Sequence, residues 1–359
     1  MVCVARRCRR RGVSVADAPE VAEYFGVLRD RYGLQGRLTP IATERDETFR
    51  LDLDTPIGGR RRLLVKVAAS GETPEIVDLQ TSAMTFIEHV APELPVQRVY
   101  RAADGSAFVP IAGGNARTLR VLEWTEGSPL DECRPWSRVT IQEVAALHAR
   151  TTMALAGFSH PAANRVMIWD VRQLPTLRPL LALLEDPGQR RVCADLLDRF
   201  EATVIPRLAT CEQQVVHADV SPYNVIMRDV HGRPTVAGLI DFGDVVYSAL
   251  VCDLAVPLAN CLDANAADPW ADAAVYLGGY EGHRPLGEGE LELFALAAPG
   301  RLLQRILLTA ERMRDAPQRG DYLRRHAVRD WINLQAALDT PELQVHAALA
   351  SGGSTAAGE

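Results

Sequence analysis

Residues 215–244 read V-V-H-A-D-V-S-P-Y-N-V-I-M-R-D-V-H-G-R-P-T-V-A-G-L-I-D-F-G-D and hold the side chains best suited to chemistry. His217, Asp219 and Asn224 stand in the spacing H-x-D-x-x-x-x-N, and Asp241 opens D-F-G further on. Two short β-prone runs, 225–227 and 236–240, flank a segment containing Gly232 and Pro234, which predicts a hairpin. Folded back, that hairpin sets Asn224 at the start of one strand near Asp241 at the end of the other. Phosphoryl transfer from a nucleotide needs this set of groups. One carboxylate must orient the attacking hydroxyl and accept its proton, and Asp219 fits that role. Magnesium needs hard oxygen ligands, and Asp241 and Asn224 supply a carboxylate and an amide oxygen. The loose transition state leaves the protein mainly position and charge to contribute. Taken singly, these residues have commoner uses: His217 as a structural hydrogen-bonder, Asp219 and Asn224 in turns or caps, Asp241 as a strand-end carboxylate. His217 keeps that structural role here. Taken jointly, the pattern is a strong signal for a kinase.

Lysine usage adds a fourth position. Among 39 basic residues there is one lysine, Lys66, flanked by Leu64, Val65 and Val67 in a strand-like run over 62–68. Everywhere else arginine supplies the positive charge, so position 66 reads as one that needs a compact ammonium rather than a planar guanidinium. A strand lysine of this kind contacts the nucleotide α and β phosphates in kinases.

Further stretches follow in order between about residues 20 and 340: R-D-E-T-F-R (45–50), L-L-V-K-V (63–67), P-E-I-V-D-L-Q (74–80), M-I-W-D-V-R-Q-L-P (167–175), G-L-I-D-F-G-D (238–244) and V-C-D-L-A (251–255). With the catalytic stretch, they make the chain resemble the aminoglycoside phosphotransferase and choline kinase group of small-molecule kinases. Within that group the likeness is strongest to the hydroxylysine kinases. The resemblance implies a bilobal α+β protein-kinase-like fold, with an antiparallel-sheet N-terminal lobe and a mostly helical C-terminal lobe. It implies Mg2+ as cofactor and ATP or GTP as phosphoryl donor. Asp219 would be the base, Asn224 and Asp241 the metal ligands, and Lys66 the phosphate clamp. Asp78 falls where an acidic partner of the strand lysine is expected, with Glu75 as its rival; a glutamate is usual there, and aspartate is one methylene shorter. No G-x-G-x-x-G is present, so the loop before residue 48 would cover the phosphates with backbone amides and the Thr48 hydroxyl. Glu123, Trp124 and Thr125 would form the hinge offering backbone groups to the base. Ala218 stands where the group often carries glycine or a bulkier polar residue.

These residues need elements to position them. Helical spacing over 16–32 is followed by candidate strands at 38–42 and 48–53, a turn over 55–60 and the Lys66 strand. A helix over 74–90, two strands within 96–111 around Asp104-Gly105 and a strand over 118–124 complete the first half, before G-S-P at 127–129 breaks the pattern. From 140 the texture turns to alanine- and leucine-rich helix, with His148 read as core. Residues 158–170 read as a loop, with Trp169 as plain core and M-I-W-D as a border of the substrate pocket the alternative. Further helices are expected at 189–208, 251–262, 270–280, 288–311 and 322–338. Asp253 is read as bracing the catalytic loop, and Asp263, Asp268 and Asp272 as solvated, with a place facing the substrate amine as the alternative. The division is a basic disordered arm (1–15), a nucleotide-binding lobe (16–122), a catalytic and substrate-binding lobe (123–345) and a disordered tail (346–359).

Composition narrows the function classes. The 359 residues suffice for two lobes, and 47% hydrophobic with 24% charged is ordinary for a globular chain. A net charge of −7 argues against bulk nucleic-acid binding and suits an amine-bearing substrate. No run of eighteen apolar residues occurs, and the basic stretch 6–11 is not followed by an apolar signal segment, so no membrane association is expected. Seven scattered cysteines without C-x-x-C fit a reducing cytoplasm rather than zinc or a disulfide framework. The rapid return to helix after Asp244, without A-P-E, argues against a protein kinase. The expected acceptor is a small molecule with a hydroxyl and an amine, a hydroxylysine-like hydroxy-amino acid being favoured. An antibiotic O-phosphotransferase is the alternative within the enzyme class, and a nucleotide-binding pseudokinase the alternative outside it.

Overall fold

The computed structural model describes residues 19–43, 45–111, 117–315 and 320–354. The basic arm expected over 1–15 lies outside them.

The first half is organised by an antiparallel sheet. Helix α1 (Pro19–Tyr32) leads into β1 (Gly36–Ile41), β2 (Glu47–Ile57) and β3 (Arg60–Val67), followed by α2 (Pro74–Val90), β4 (Val99–Tyr100), β5 (Val109–Pro110) and β6 (Thr118–Glu123). The sheet order is β1-β2-β3-β6-β4, with β5 also pairing with β6. Strand periodicity decides which side chains go where. Leu63, Val65 and Val67 of β3 are fully buried and pack with Phe49, Leu51, Tyr24 and Leu28 in one cluster beneath α1. Lys66, between them in sequence, therefore leaves the opposite face. Helix α2 buries Leu79, Met84 and Ile87 in the other core, the one shared with the helical half. It thus bridges the two halves.

The second half contains β7 (Ser128–Pro129), α3 (Arg138–Leu155), α4 (Pro187–Leu208), β8 (Gln213–Val216), β9 (Val225–Val230), β10 (Arg233–Leu239) and β11 (Val246–Ala249). Helices α5 (Leu250–Cys261), α6 (Ala271–Glu281), α7 (Glu290–Asp315), α8 (Gly320–Asp339) and α9 (Glu342–Ser354) follow. Its strands form two small sheets, β10-β9-β7 and β11-β8. Helix α7 runs through the centre, burying Leu293, Phe294, Leu302, Leu303, Ile306 and Leu307. By length and composition α7 could cross a membrane, but 89% of its apolar window is buried within the fold, where it serves as the core helix.

Two features tie earlier segments to the catalytic stretch. The G-S-P break is a strand crossing: Ser128 and Pro129 pair with Met227 and Ile226 of β9. Gly127 enters that pairing at φ 142°, so close to the Met227 backbone that a Cβ would sit 2.1 Å from its carbonyl oxygen. Only glycine fits there. Residues before β4 pair with the end of β10: the Gln97 N–H donates to the Leu239 carbonyl (2.9 Å) and the Leu239 N–H to the Pro95 carbonyl (2.8 Å).

One boundary is corrected. The tail expected to be disordered from 346 is helical through Ser354, and only residues 355–359 lie outside the described part. Val345 and Leu349 are buried, and Gly352 lies against the Ala274 carbonyl of α6. Spaced by three and four residues, they form one helical stripe that packs on α6. The small polar residues that follow hid it.

Candidate active site

The catalytic stretch starts where β8 ends. His217 is buried, and its ring ties the two sides of the hairpin together. Nδ1 lies 3.2 Å from the Asp219 N–H, and Nε2 lies 3.2 Å from the Ile240 carbonyl. The first contact needs an acceptor and the second a donor, so the ring is neutral with its proton on Nε2. Burial pushes its pKa down, in agreement. His217 is structural, as expected from its sequence setting.

Ala218 adopts φ 63°, a left-handed conformation that costs an alanine about 1 kcal/mol or more. The conformation persists because the Ala218 N–H donates to Asp253 Oδ1 (2.8 Å), and Asp253 Oδ2 is held by His148 Nε2 (2.7 Å). His148 Nδ1 in turn meets the Tyr276 hydroxyl at 3.0 Å. Burial alone would push the Asp253 carboxyl up; His148 and the Ala218 N–H more than offset it and keep it below the ordinary carboxylate range. Asp253 therefore braces the loop from behind, and His148 is core.

The turn after Ala218 points Asp219 into a cavity that also exposes Lys66 and Asp241. Asn224 donates from Nδ2 to Asp219 Oδ2 (2.6 Å) and to the Asp219 carbonyl (3.0 Å). Its own carbonyl accepts the Ile240 N–H (2.8 Å), which closes the hairpin and brings Asn224 beside Asp241. Asp241 itself has φ 63°, and its N–H donates to Gln97 Oε1 (3.1 Å). Lys66 Nζ donates to Asp241 Oδ1 at 2.9 Å. Burial would raise the Asp241 carboxyl, but Lys66 overcomes it and holds the group well below its usual range. Asp219 goes the other way: burial and the nearby Asp244 push it up, against the Arg301 guanidinium 3.8 Å away. Two carboxylates in one cleft are thus tuned apart, one toward a base and one toward a permanently ionised ligand.

Whether these residues suit a divalent cation can be judged from one atom. Asn224 Oδ1 is buried and has no hydrogen-bond partner among the described residues. An unpartnered buried amide oxygen costs about 1–3 kcal/mol unless something fills it. An amide oxygen beside an ionised carboxylate is a hard-oxygen set of the kind Mg2+ takes, and the residues fit that ion.

Several positions depart from expectation. Asp78 does not reach Lys66; its carboxylate is half exposed and meets His160 Nε2 at 3.1 Å. Glu75 is exposed on the first turn of α2. The inward residue of that helix is Gln80, roughly 200° around from Asp78. It donates to Glu72 (2.7 Å) and to the Gly243 carbonyl (3.3 Å). The acidic neighbours of Lys66 are Asp241 and Asp46, the latter 3.5 Å away and shared with Arg120 (2.8 Å). Asp46 and Glu72 form a carboxyl pair: burial and Asp46 raise Glu72, while Arg120 and Lys66 overcome burial to keep Asp46 low. Thr48 lies opposite Lys66 in the β2–β3 register but is buried, 3.2 Å from the Thr43 hydroxyl; Thr43, Arg45 and Asp46 are the residues of this loop on the cavity. Glu123, Trp124 and Thr125 close β6 and lead to β7, outside this cavity. The Glu123 N–H is used internally, on the Arg98 carbonyl (2.9 Å).

Trp169, expected as core, lines the cavity, with the guanidinium of Arg301 4.8 Å and that of Arg312 4.9 Å from its ring centroid. Arg301, Arg305 and Arg312 of α7 and His326, Arg329 and Asp330 of α8 complete that end. Sequence reasoning missed this group. The available signal was an arginine stripe at i, i+4 and i+11 on an otherwise apolar helix, one face by helical geometry. Asp263 and Asp268 cap backbone N–H groups of Asn265 and Trp270 and do not reach the cavity, nor does Asp272.

The profile described as "Phosphotransferase enzyme family" matches residues 37–288. Hydroxylysine kinase of Mus musculus is 23% identical over 340 residues, covering 89% of this chain and 89% of the relative. Among solved structures, an amicoumacin kinase in complex with AMP-PNP and Ca2+ superposes with a TM-score of 0.67 at 17% identity, covering 91% of this chain and 96% of that one. A microcompartment-associated aminopropanol kinase gives 0.61 at 15% identity, covering 93% and 98%. The kinase-like α+β fold expected from the sequence is the fold found.

Proposed function

From the premise that the chain belongs to the phosphotransferase enzyme family, we propose that it transfers the γ-phosphoryl group of ATP or GTP to a hydroxyl of a small amine-bearing molecule, a hydroxy-amino acid of the hydroxylysine type. The observation that carries the reading is the convergence of Asp219, Asp241 and Lys66 on one cavity, with Asn224 buried behind Asp219 and its Oδ1 left as a spare acceptor. Likeness to hydroxylysine kinase along most of both chains supports the acceptor class.

The residues divide the work by their surroundings. Asp219, oriented by the Asn224 amide and raised by burial, is placed to take the proton of an acceptor hydroxyl as that oxygen attacks phosphorus. Asn224 Oδ1 and Asp241 would hold Mg2+, which when bound offsets charge on the donor phosphates and fixes their orientation. Lys66, 2.9 Å from Asp241 and 3.5 Å from Asp46, presents its ammonium to the phosphates. Arg45, paired with Asp244 at the loop, adds positive charge at the same end. The complete set speaks against a pseudokinase.

The test is magnesium-dependent nucleotide diphosphate release with a panel of hydroxy-amino acids and amino alcohols. Asp219→Ala should lower turnover by about 10²–10⁴ with little change in nucleotide affinity. Normal turnover in that variant would sink the assignment of the base.

A further inference from the structure

The far end of the cavity from Lys66 is built of guanidinium groups. Arg301, Arg305, Arg312 and Arg329 line it, and the carboxylates there are Asp330 and the reacting Asp219. Asp330 is committed to Arg305, accepting from its Nε at 3.0 Å, while Arg305 also donates to Asn260 Oδ1 at 2.8 Å. Arg301 is buried and donates to the Trp169 carbonyl (2.6 Å) and to Gln304 Oε1 (2.6 Å), yet its Nε has no acceptor among the described residues. Arg329 is set against the Tyr223 hydroxyl and forms no ion pair among the described residues. The acidity of the whole chain does not reach this end.

We infer that the acceptor carries a carboxylate, anchored by Arg329 at the arginine-lined end of the cavity while its hydroxyl meets Asp219. The inference rests on the phosphotransferase reading above and adds the group that decides which acceptors enter. A guanidinium fork matches a carboxylate in two parallel hydrogen bonds, and arginine is the residue that supplies this. A polycationic aminoglycoside would instead bring ammonium groups to an end where four guanidinium groups outnumber two carboxylates, a like-charge arrangement that disfavours it. A hydroxy-amino acid satisfies both ends: an oxyanion for Arg329 and a hydroxyl for Asp219.

The experiment compares wild-type protein on three forms of one acceptor: 5-hydroxylysine, its carboxamide and the corresponding decarboxylated amino alcohol, with kanamycin as a polycation. Phosphorylation is read as nucleoside diphosphate release. The free acid should exceed the carboxamide and the amino alcohol by about 10- to 100-fold in kcat/KM, mainly through KM. In Arg329→Gln the preference for the free acid over the carboxamide should collapse toward one, and Arg329→Lys should restore part of it. A structural role for Arg329 would lower both acceptors together and leave their ratio unchanged, which overturns the inference. So does equal use of the carboxamide, or a preference for kanamycin. A parallel measurement separates the two readings: an amine-reactive nucleotide analogue should label Lys66, the one lysine, with protection by MgATP or MgGTP. Protection together with a preference for polycations removes the carboxylate assignment alone. Absence of both protection and acceptor phosphorylation removes the phosphotransferase reading with it.

Discussion

Replacing Lys66 by arginine keeps the charge and changes only its shape, so it separates electrostatics from placement. The Lys66 side chain is 9% exposed, with Nζ 2.9 Å from Asp241 and 3.5 Å from Asp46. The Arg120 guanidinium already occupies the other approach to Asp46. A second guanidinium must either displace it or push Asp241 out of line. Overpacking of this kind costs about 1–3 kcal/mol of stability. A displacement of roughly 1 Å at the reacting centre costs about 10²-fold in rate. We therefore expect Lys66→Arg to lower kcat/KM by about 10²-fold, roughly 2.7 kcal/mol of transition-state stabilisation. Lys66→Met is the complementary variant. The gross attraction between Lys66 and Asp241 is roughly 6 kcal/mol at an effective dielectric of about 20. Much of it is offset because the Asp241 side chain stays 30% exposed, leaving a net loss of about 1–3 kcal/mol near neutral pH. The sign with pH follows from the depressed Asp241 carboxyl. A group lowered on folding stabilises fully above its unfolded pKa, about 4, and loses that contribution as pH falls below it. The stability gap between wild type and Lys66→Met should therefore be full at neutral pH and shrink in acid. Steady-state kinetics and urea denaturation at about pH 7 and about pH 3 read these quantities. Wild-type turnover and stability in Lys66→Arg would refute the argument that shape, not charge alone, fixes lysine at this position. A gap that does not change with pH would refute Lys66 as the cause of the low Asp241 pKa.

Other outcomes follow from the same geometry. Asn224→Ala removes the spare amide oxygen and should raise the magnesium concentration for half-maximal activity by about 10- to 100-fold, read in a cation titration. Because Asp219 must be ionised to accept a proton and burial raises it, activity should climb with pH through a value above the ordinary carboxylate range. Arg301→Gln takes away a cation that lowers Asp219, so the acid limb of the kcat profile should move to higher pH; a shift to lower pH would contradict the assignment. Asp253→Ala strands His148 and the Ala218 N–H together and should cost about 3–5 kcal/mol in denaturation, with turnover falling as the loop relaxes.

Local pattern carried much of this molecule. The 74–90 helix, the strand holding Lys66 and the hairpin joining Asn224 to Asp241 all depend on spacing within a short window, where periodicity and turn residues suffice. Asp78 failed for a reason of rotation: two positions along a helix turn a side chain from buried to exposed, and Gln80 had the buried place. Trp169 and Arg329 were not legible because they join the Arg301 stripe in one cavity only after three distant segments pack. Asp46 and Glu72 look like ordinary loop acids until burial couples them. The arginine-lined end of the cavity was hidden in the same way, since a net charge says nothing about which sign lines one part of a cleft.

The brace behind the catalytic loop also bears on how the protein is made. Asp253 holds Ala218, His148 holds Asp253 and Tyr276 of α6 holds His148, while α6 is itself covered by Val345, Leu349 and Gly352 of α9. Residues near 350 leave the ribosome long after residue 218. Until they do, the α6 surface that supports this relay is bare, and the strained turn at Ala218 lacks its full backing. A nascent chain would thus carry Asp219, Asn224 and Asp241 for much of its synthesis without the scaffold that aims them, and would become competent only when its late helix docks.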